Sequence, residues 1–405
     1  MNCREESVID RERTVFKVLL AVCLCHLLND SMQSILPAVF PMMKNTFHLN
    51  FVQIGAITLV IQLTSSLIQP WVGLYADKHR HSWQLSVAMI FSFCGVVLLS
   101  IATSYWMILL AVGLMGIGSA VFHPQAAQIA QAASGGRKGL AQSVFQVGGN
   151  GGYAIGPLLA ALIILPVGMQ AFGYIAIIPF VLAIILYQVG KWHMRQMGKV
   201  SKQVRSRWTT VKTYSKHHIW FFIFVLFMLM FSKNFYSTSM LNYFSFFLID
   251  KFDVSQQTAQ YCLFIYLAAQ AVGTIVGGML GDKYGRKWVI WFSILGVSPF
   301  TIALPYISTF TGTIILSIVI AIIMASAFSA ILVFASDLMP HNTGVVAGIF
   351  YGLSFGIAGI GSSFFGWLAD QTSIQYVFEV STLLPLLGII AVFLPKMKKD
   401  TIETT

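Results

Sequence analysis

Charge is scarce in this chain. Asp, Glu, Lys and Arg make up 10% of 405 residues, with 14 acidic side chains against 25 basic ones. So few charges cannot solvate a soluble globule of this length. Cysteine is equally sparse: the five, at 3, 23, 25, 94 and 262, show no CxxC or Cys/His spacing. Free thiols and no metal are therefore expected. No GxxxxGK[ST] string is present to cradle a nucleotide phosphate, so any active process must draw on ion gradients. Nor is there an HExxH or an acyl-transfer constellation, so neither an enzyme nor a cofactor is expected.

Apolar length takes their place. Hydrophobic residues make up 57% of the chain, there are 33 glycines, and the mean hydropathy is +0.77. About 20 apolar residues cross a bilayer as helix. Segments of that kind fall near 16–43, 51–75, 83–103, 105–133, 139–165, 169–190, 218–249, 256–281, 288–307, 311–337, 343–369 and 374–394. The spacing predicts an all-α membrane protein with twelve transmembrane helices. The N-terminal stretch mixes Arg4, Arg11, Arg13 and Lys17 with Glu5, Glu6, Asp10 and Glu12, and the apolar run after it is too long for a signal peptide. It is read as the first helix.

A pattern recurs between apolar runs. Gly278-Met-Leu-Gly-Asp-Lys-Tyr-Gly-Arg-Lys287 has a partial twin in Gly73-Leu-Tyr-Ala-Asp-Lys-His-Arg80, and Asp77 and Asp282 stand 205 residues apart (282 − 77), about half the chain. Such spacing signals internal duplication into two pseudo-symmetric six-helix bundles. The first copy lacks the Gly-Arg-Lys ending of the second. The candidate switching residues are Gly73, Asp77 and Lys78 in one half and Gly278, Asp282, Lys283, Gly285, Arg286 and Lys287 in the other. Counting Lys and Arg gives 22 on the side of the N-terminus, two (Lys44 and Lys251) opposite, and Lys233 inside a span. That asymmetry places both termini in the cytoplasm. The expected organisation is a tail (1–14), a bundle (15–190), a basic linker (191–216), a second bundle (217–395) and a tail (396–405). The net charge of +11 is thereby absorbed by topology. It points to lipid headgroups and not to nucleic acid. A monomer is expected.

Polar groups inside spans are expensive and therefore informative. His26, Asn29, Asp30 and Gln33 follow i, i+3, i+4, i+7 and make one stripe on the first helix. A carboxylate at that depth costs about 2.5–3.5 kcal/mol on insertion scales, so Asp30 should face an interior or aqueous path and carry a proton. A plain hydrogen-bond knot with His26 is the alternative. His123 precedes Pro124 and, with His26, is a further candidate for the coupled proton beside Asp30. Gln142, Gln146 and Asn150 line one face of the fifth helix, either toward the cavity, where with Asn29 and Gln33 they would bind substrate, or as interhelical glue. Lys233 stands 203 residues after Asp30 (233 − 30), at the corresponding depth of the seventh helix. The two are expected to pair, and Lys233, with Asn234 and Tyr236, to attract a small anionic substrate. Export by proton antiport and import of an organic anion or sugar by symport or uniport both fit these residues.

The duplicated loop resembles the signature of the major facilitator superfamily of secondary transporters, which implies two six-helix bundles around a central pathway and a loop that latches conformations. Gly152, Gly156 and Pro157 resemble the fifth-helix motif of that superfamily's drug-proton exchangers, with Ala160 and Ala161 in place of the final glycines; the fourth-helix arginine pattern is absent, Val112 standing four before Gly116. His26-Leu-Leu-Asn-Asp30, Val121-Phe-His-Pro124, Ala133-Ser-Gly-Gly-Arg137, Gly139-Leu-Ala-Gln-Ser143, Phe145-Gln-Val-Gly-Gly-Asn150 and Phe328-Ser-Ala-Ile-Leu332 resemble the fosmidomycin resistance proteins, a bacterial branch of the superfamily. That resemblance implies export of a small phosphonate drug through the inner membrane by proton antiport.

Overall fold

The computed structural model describes residues 14–69, 71, 81–135, 138–197, 215–339, 350 and 353–395. Every regular element among them is helical. In chain order, α1 is Phe16–Phe47, α2 Phe51–Leu67, α3 Gln84–Ser100, α4 Tyr105–Ala132 and α5 Lys138–Leu159; α5 continues through a π-helical turn at Ala160–Ile164 to Val167. After a short Met169–Ile175 lead-in comes α6, Ile177–Met197. The second half holds α7 Lys216–Phe252, α8 Gln256–Tyr284, α9 Arg286–Ile294 with its continuation to Tyr306, α10 Phe310–Ala325 continuing to Leu338, α11 Leu353–Gln371 and α12 Ile374–Ser381 continuing to Phe393. Nine of these segments are long and apolar enough to cross a membrane unaided, α2 and α3 being shorter apolar helices.

The 205-residue repeat is visible in the backbone. α1 stops at His48 (φ 53°) and α7 at Asp253 (φ 51°), the two non-glycine residues with positive φ among those described. They are 205 apart (253 − 48), as are the starts of α2 and α8 (256 − 51) and of α4 and α10 (310 − 105). In both halves the left-handed residue turns its N–H back onto the last helical turn, to Lys44 O and to Ile249 O, ending the first helix so that the next can fold back. α2 then starts with a reciprocal cap: Asn50 Oδ1 accepts from Gln53 N at 2.8 Å and Gln53 Oε1 from Asn50 N at 3.0 Å.

Without a hydrophobic drive between helices in lipid, close packing rests on small residues. The tightest pair is α1 with α5. A Cβ at Gly148 would stand 2.4 Å from Cys23 O, one at Gly152 2.2 Å from Leu27 O, and one at Gly156 2.8 Å from Ser31 O. These three glycines, spaced i, i+4, i+8, let α5 lie against the α1 backbone. Pro157 breaks the ladder next, and the π-helical turn after it re-registers α5.

Contacts between the halves run through α2 with α11 and α5 with α8. At one end of the bundle Asp370, at the end of α11, caps the start of α2, its two oxygens accepting from Phe51 N at 2.9 Å and Val52 N at 2.7 Å. Gly366 and Gly55 sit in the same seam, where a Cβ would come within 2.2 Å of Phe51 O and 2.6 Å of Ser362 O respectively. Beside it, Gln257 Nε2 of α8 donates to Ala161 O of α5 at 3.3 Å. This end is closed.

The duplicated loop is described in its second copy alone; Gly73, Asp77 and Lys78 lie outside the described residues, as do the side chains of Asp282 and Lys283. Gly278 and Asp282 fall in the last turns of α8. Gly285 takes φ 93°, which turns the chain into α9. Lys287 Nζ donates to Val392 O at 3.0 Å and to Leu394 O, tying this corner to the end of α12.

Candidate functional site

Three helices bring His26, Asp30 and His123 together. α1 supplies the first two from one face, 3% and 4% exposed, and α4 supplies the third. His26 stacks on Phe145 of α5 with ring centroids 3.9 Å apart and meets His123 edge-on at 5.1 Å. Gly149 makes the room: a Cβ there would lie 2.7 Å from His26 Nε2 and 3.0 Å from Asp30 Oδ2. The close approach of α1 and α5 is thus what lets an imidazole and a carboxylate share one buried pocket.

Hydrogen-bond directions follow from which atoms can only accept. His26 Nδ1 lies 2.7 Å from the Phe145 carbonyl, so that nitrogen carries a hydrogen. Its Nε2 faces Asp30 Oδ2 at 3.2 Å. One proton must lie on this line, on the ring or on the carboxyl, or two lone pairs would face each other. The other carboxylate oxygen, Oδ1, accepts from Asn29 Nδ2 at 3.0 Å and meets His123 Nε2 at 3.2 Å. Behind His123 the chain continues: Ser119 Oγ is 3.1 Å from Nδ1 and receives Gln33 Nε2 at 3.1 Å. With Gln33 donating to Ser119 and Ser119 to Nδ1, the hydrogen of a neutral His123 sits on Nε2 and points at Asp30. A second proton on that ring would find the Ser119 carbonyl, 3.0 Å from the same Nδ1. The cluster can therefore hold one or two exchangeable protons without moving a heavy atom. Its three ligand-type atoms lie within 4.8 Å of one another, the one such grouping among the described residues with metal-ligand chemistry. The hydrogen bonds above satisfy those atoms without an ion.

Lys233 is elsewhere. Its ammonium lies over the ring of Phe328 on α10, 5.3 Å from the centroid. The ion pair expected between Asp30 and Lys233 is not formed, because both Asp30 oxygens are taken by His26, Asn29 and His123. Tyr236 is fully buried on α7 and its hydroxyl has no hydrogen-bond partner among the described residues. Asn234 is half-buried beside Lys233 in sequence, and its carbonyl accepts from Thr238. On α5, Gln146 Nε2 reaches Asn150 Oδ1 at 3.5 Å, so these amides face each other; the side chain of Gln142 is outside the described residues. Gly152 and Gly156 serve the α1–α5 contact, and Pro157 precedes the π-helical turn.

Three participants were not singled out in the sequence. Ser119 stands four before His123, a spacing that puts its hydroxyl beside the ring and could have flagged it. Gly149 stands in the Gly148-Gly149 pair directly before Asn150. The Phe145 carbonyl leaves no trace in a sequence.

The family model of the Major Facilitator Superfamily matches residues 22–246 and 234–404. The chain is 46% identical to the fosmidomycin resistance protein of Escherichia coli (strain K12) over 386 residues, 95% of this chain and 94% of that one. It is 34% identical to the uncharacterised MFS-type transporter YfnC of Bacillus subtilis (strain 168), over 98% and 97% of the two chains. Among solved structures, a bacterial homologue of the human lysosomal transporter Spinster, inward-facing and occupied, superposes with a TM-score of 0.73 at 17% identity over 94% of each chain. The nucleoside transporter NupG does so with a TM-score of 0.72 at 15% identity, over 93% of this chain and 98% of its own. The fold is thus the major facilitator fold, that of multi-pass membrane transporters rather than enzymes, and this chain belongs to the major facilitator superfamily and, within it, to the fosmidomycin resistance protein family.

Proposed function

We propose that the chain exports a small anion of the phosphonate class, fosmidomycin among them, across the bacterial inner membrane in exchange for protons. The observation that carries this reading is the single proton required between buried His26 Nε2 and Asp30 Oδ2, 3.2 Å apart. A titratable pair held in a membrane interior by three helices is a proton site by default. Lys233, in the corresponding helix of the other half, has no carboxylate partner among the described residues and supplies the complementary charge for the anion. The name of the 46%-identical relative supports the substrate.

In this reading the termini are cytoplasmic, the two bundles, 15–190 and 217–395, rock about the substrate, and the end sealed by Asp370 faces outward. Proton and anion occupy different groups, so exchange is enforced by which forms reorient: the carrier holding the proton alone and the carrier holding the anion alone turn, while the empty carrier and the one holding both do not. His123, linked through Ser119 to Gln33, conducts protons between Asp30 and the pathway. The test is purified protein in liposomes, with a fosmidomycin gradient and a lumenal pH dye. Protons moving against the drug are expected; protons moving with it, or drug flux without protons, would overturn antiport.

A further inference from the structure

His26, Asp30 and His123 have a second chemistry besides holding protons. Both imidazoles turn Nε2 toward the Asp30 carboxylate, at 3.2 Å each, and the three ligand-type atoms lie within 4.8 Å of one another. A four-coordinate zinc ion with bonds of about 2.1 Å sets its ligands about 3.4 Å apart, so both histidine–carboxylate spacings are close to that, and rotation of the partly exposed His123 ring can close the third. The far nitrogens both face backbone carbonyls: His26 Nδ1 lies 2.7 Å from Phe145 O and His123 Nδ1 3.0 Å from Ser119 O. A ring that donates from Nδ1 to a carbonyl keeps its Nε2 lone pair for a metal, and such an outer bond is the usual support of a ligating histidine. The hydrogen bonds among the three side chains satisfy them while protons are present. An ion takes the place of those protons and leaves none of the three groups unbonded.

We infer that this cluster binds a divalent transition-metal ion of the zinc class, and that the bound ion blocks proton-driven transport. The site stands on the geometry alone; the block rests on the export reading above. Two imidazoles and one carboxylate suit zinc and its first-row neighbours cobalt and nickel, whereas magnesium and calcium prefer oxygen ligands. Three protein ligands leave a fourth position for water. The way in is past His123, whose side chain is 23% exposed while those of His26 and Asp30 are 4% and 5%. Binding releases the exchangeable protons of the cluster to solvent and leaves a fixed charge where they were. In the exchange cycle, a carrier with the ion in the proton's place becomes equivalent to the form holding both proton and anion as soon as drug binds, and that form does not turn.

The test uses the full chain, purified in detergent and stripped of metal with a chelator. Wild type should bind a single Co²⁺ with the intense visible absorption of a four-coordinate ion, and Zn²⁺ should displace it. His26→Gln and Asp30→Asn should each weaken binding at least about tenfold, the loss that outer-shell changes alone can produce. His123→Gln, at the partly exposed position, gives the same readout should the two buried variants not fold, and His217→Gln, exposed at the start of α7, should change nothing. Only the weak spectrum of six-coordinate Co²⁺ in wild type, or unchanged affinity in the His26, Asp30 and His123 variants, overturns the site. For the block, wild type is loaded with Zn²⁺, freed of excess by gel filtration because phosphonates themselves bind the ion, and reconstituted. Fosmidomycin transport driven by a pH gradient should then fall to background and return when chelator is added. Full-rate transport by the zinc-loaded carrier overturns the block and leaves the site. If metal-free wild type moves no drug against protons, the export reading fails while the binding result stands.

Discussion

Asp370 offers a direct way to shift the carrier between its states. Its carboxylate holds the first two free N–H groups of α2 from the opposite half of the molecule, at 2.9 and 2.7 Å. Asp370→Asn keeps the shape, removes the charge and replaces one acceptor oxygen with a donor that faces an N–H. The side chain is exposed, so the interaction is screened: a charge at an exposed helix start is worth about 0.3–1 kcal/mol, and losing one acceptor brings the total to about 1 kcal/mol. That corresponds to an approximately fivefold change in the ratio of closed to open forms. The readout is the labelling rate of a cysteine at position 58, behind the seam, in a background lacking the five native cysteines, using a membrane-impermeant thiol reagent added from outside. Labelling should speed up about fivefold in Asp370→Asn. Gly366→Ala should do more, since its Cβ would meet Phe51 O at 2.2 Å and neither backbone can yield without parting the helices. Unchanged labelling in both variants would refute the claim that this seam seals the pathway.

Asp30→Asn should still bind fosmidomycin but lose transport driven by a pH gradient; wild-type pH-driven efflux would remove the His26–Asp30 proton from the cycle. Gly152→Ala should destabilise the protein by about 1–3 kcal/mol and cut transport, because its Cβ would lie 2.2 Å from Leu27 O and push α5 off the helix that carries His26; a thermal-shift assay in detergent shows the first effect and vesicle uptake the second. Lys233→Met should abolish anion binding while leaving the melting temperature within a few degrees of wild type, since no ion pair is lost; restored binding in that variant would take the anion away from Lys233.

Much of the fold was legible because membrane helices obey simple rules. Apolar runs of bilayer length set the number of segments, and a string repeated at 205 residues set the halves; the same offset reappears in the left-handed caps at His48 and Asp253. Segment ends were less legible where local capping decided them. The apolar pattern does not announce that α1 continues to Phe47 before His48 turns it, or that α5 passes through a π-helical turn after Pro157.

The site shows where periodicity stops being informative. Spacing along one helix places His26, Asn29, Asp30 and Gln33 on a common face, and they do share one. Matching Asp30 to Lys233 by their offset fixes depth along equivalent helices, but it says nothing of the direction in which each side chain points around its helix axis. That direction is set by packing. Glycines at 148, 149, 152 and 156 draw α5 onto α1 and turn the carboxylate toward His26 and His123, and once three hydrogen-bond partners surround it, a distant ammonium has little left to pair with. Lys233 lies over Phe328 instead, and in the proposed cycle an incoming anion would claim it there without first breaking an ion pair. A proton site and an anion site that do not share a partner can each be loaded at its own stage of a cycle. The glycine stripe, read from sequence as a marker of exchangers, thus has a physical role in that separation, which is why Gly149→Ala, although remote from Lys233 in sequence, should impair proton coupling before it impairs anion binding.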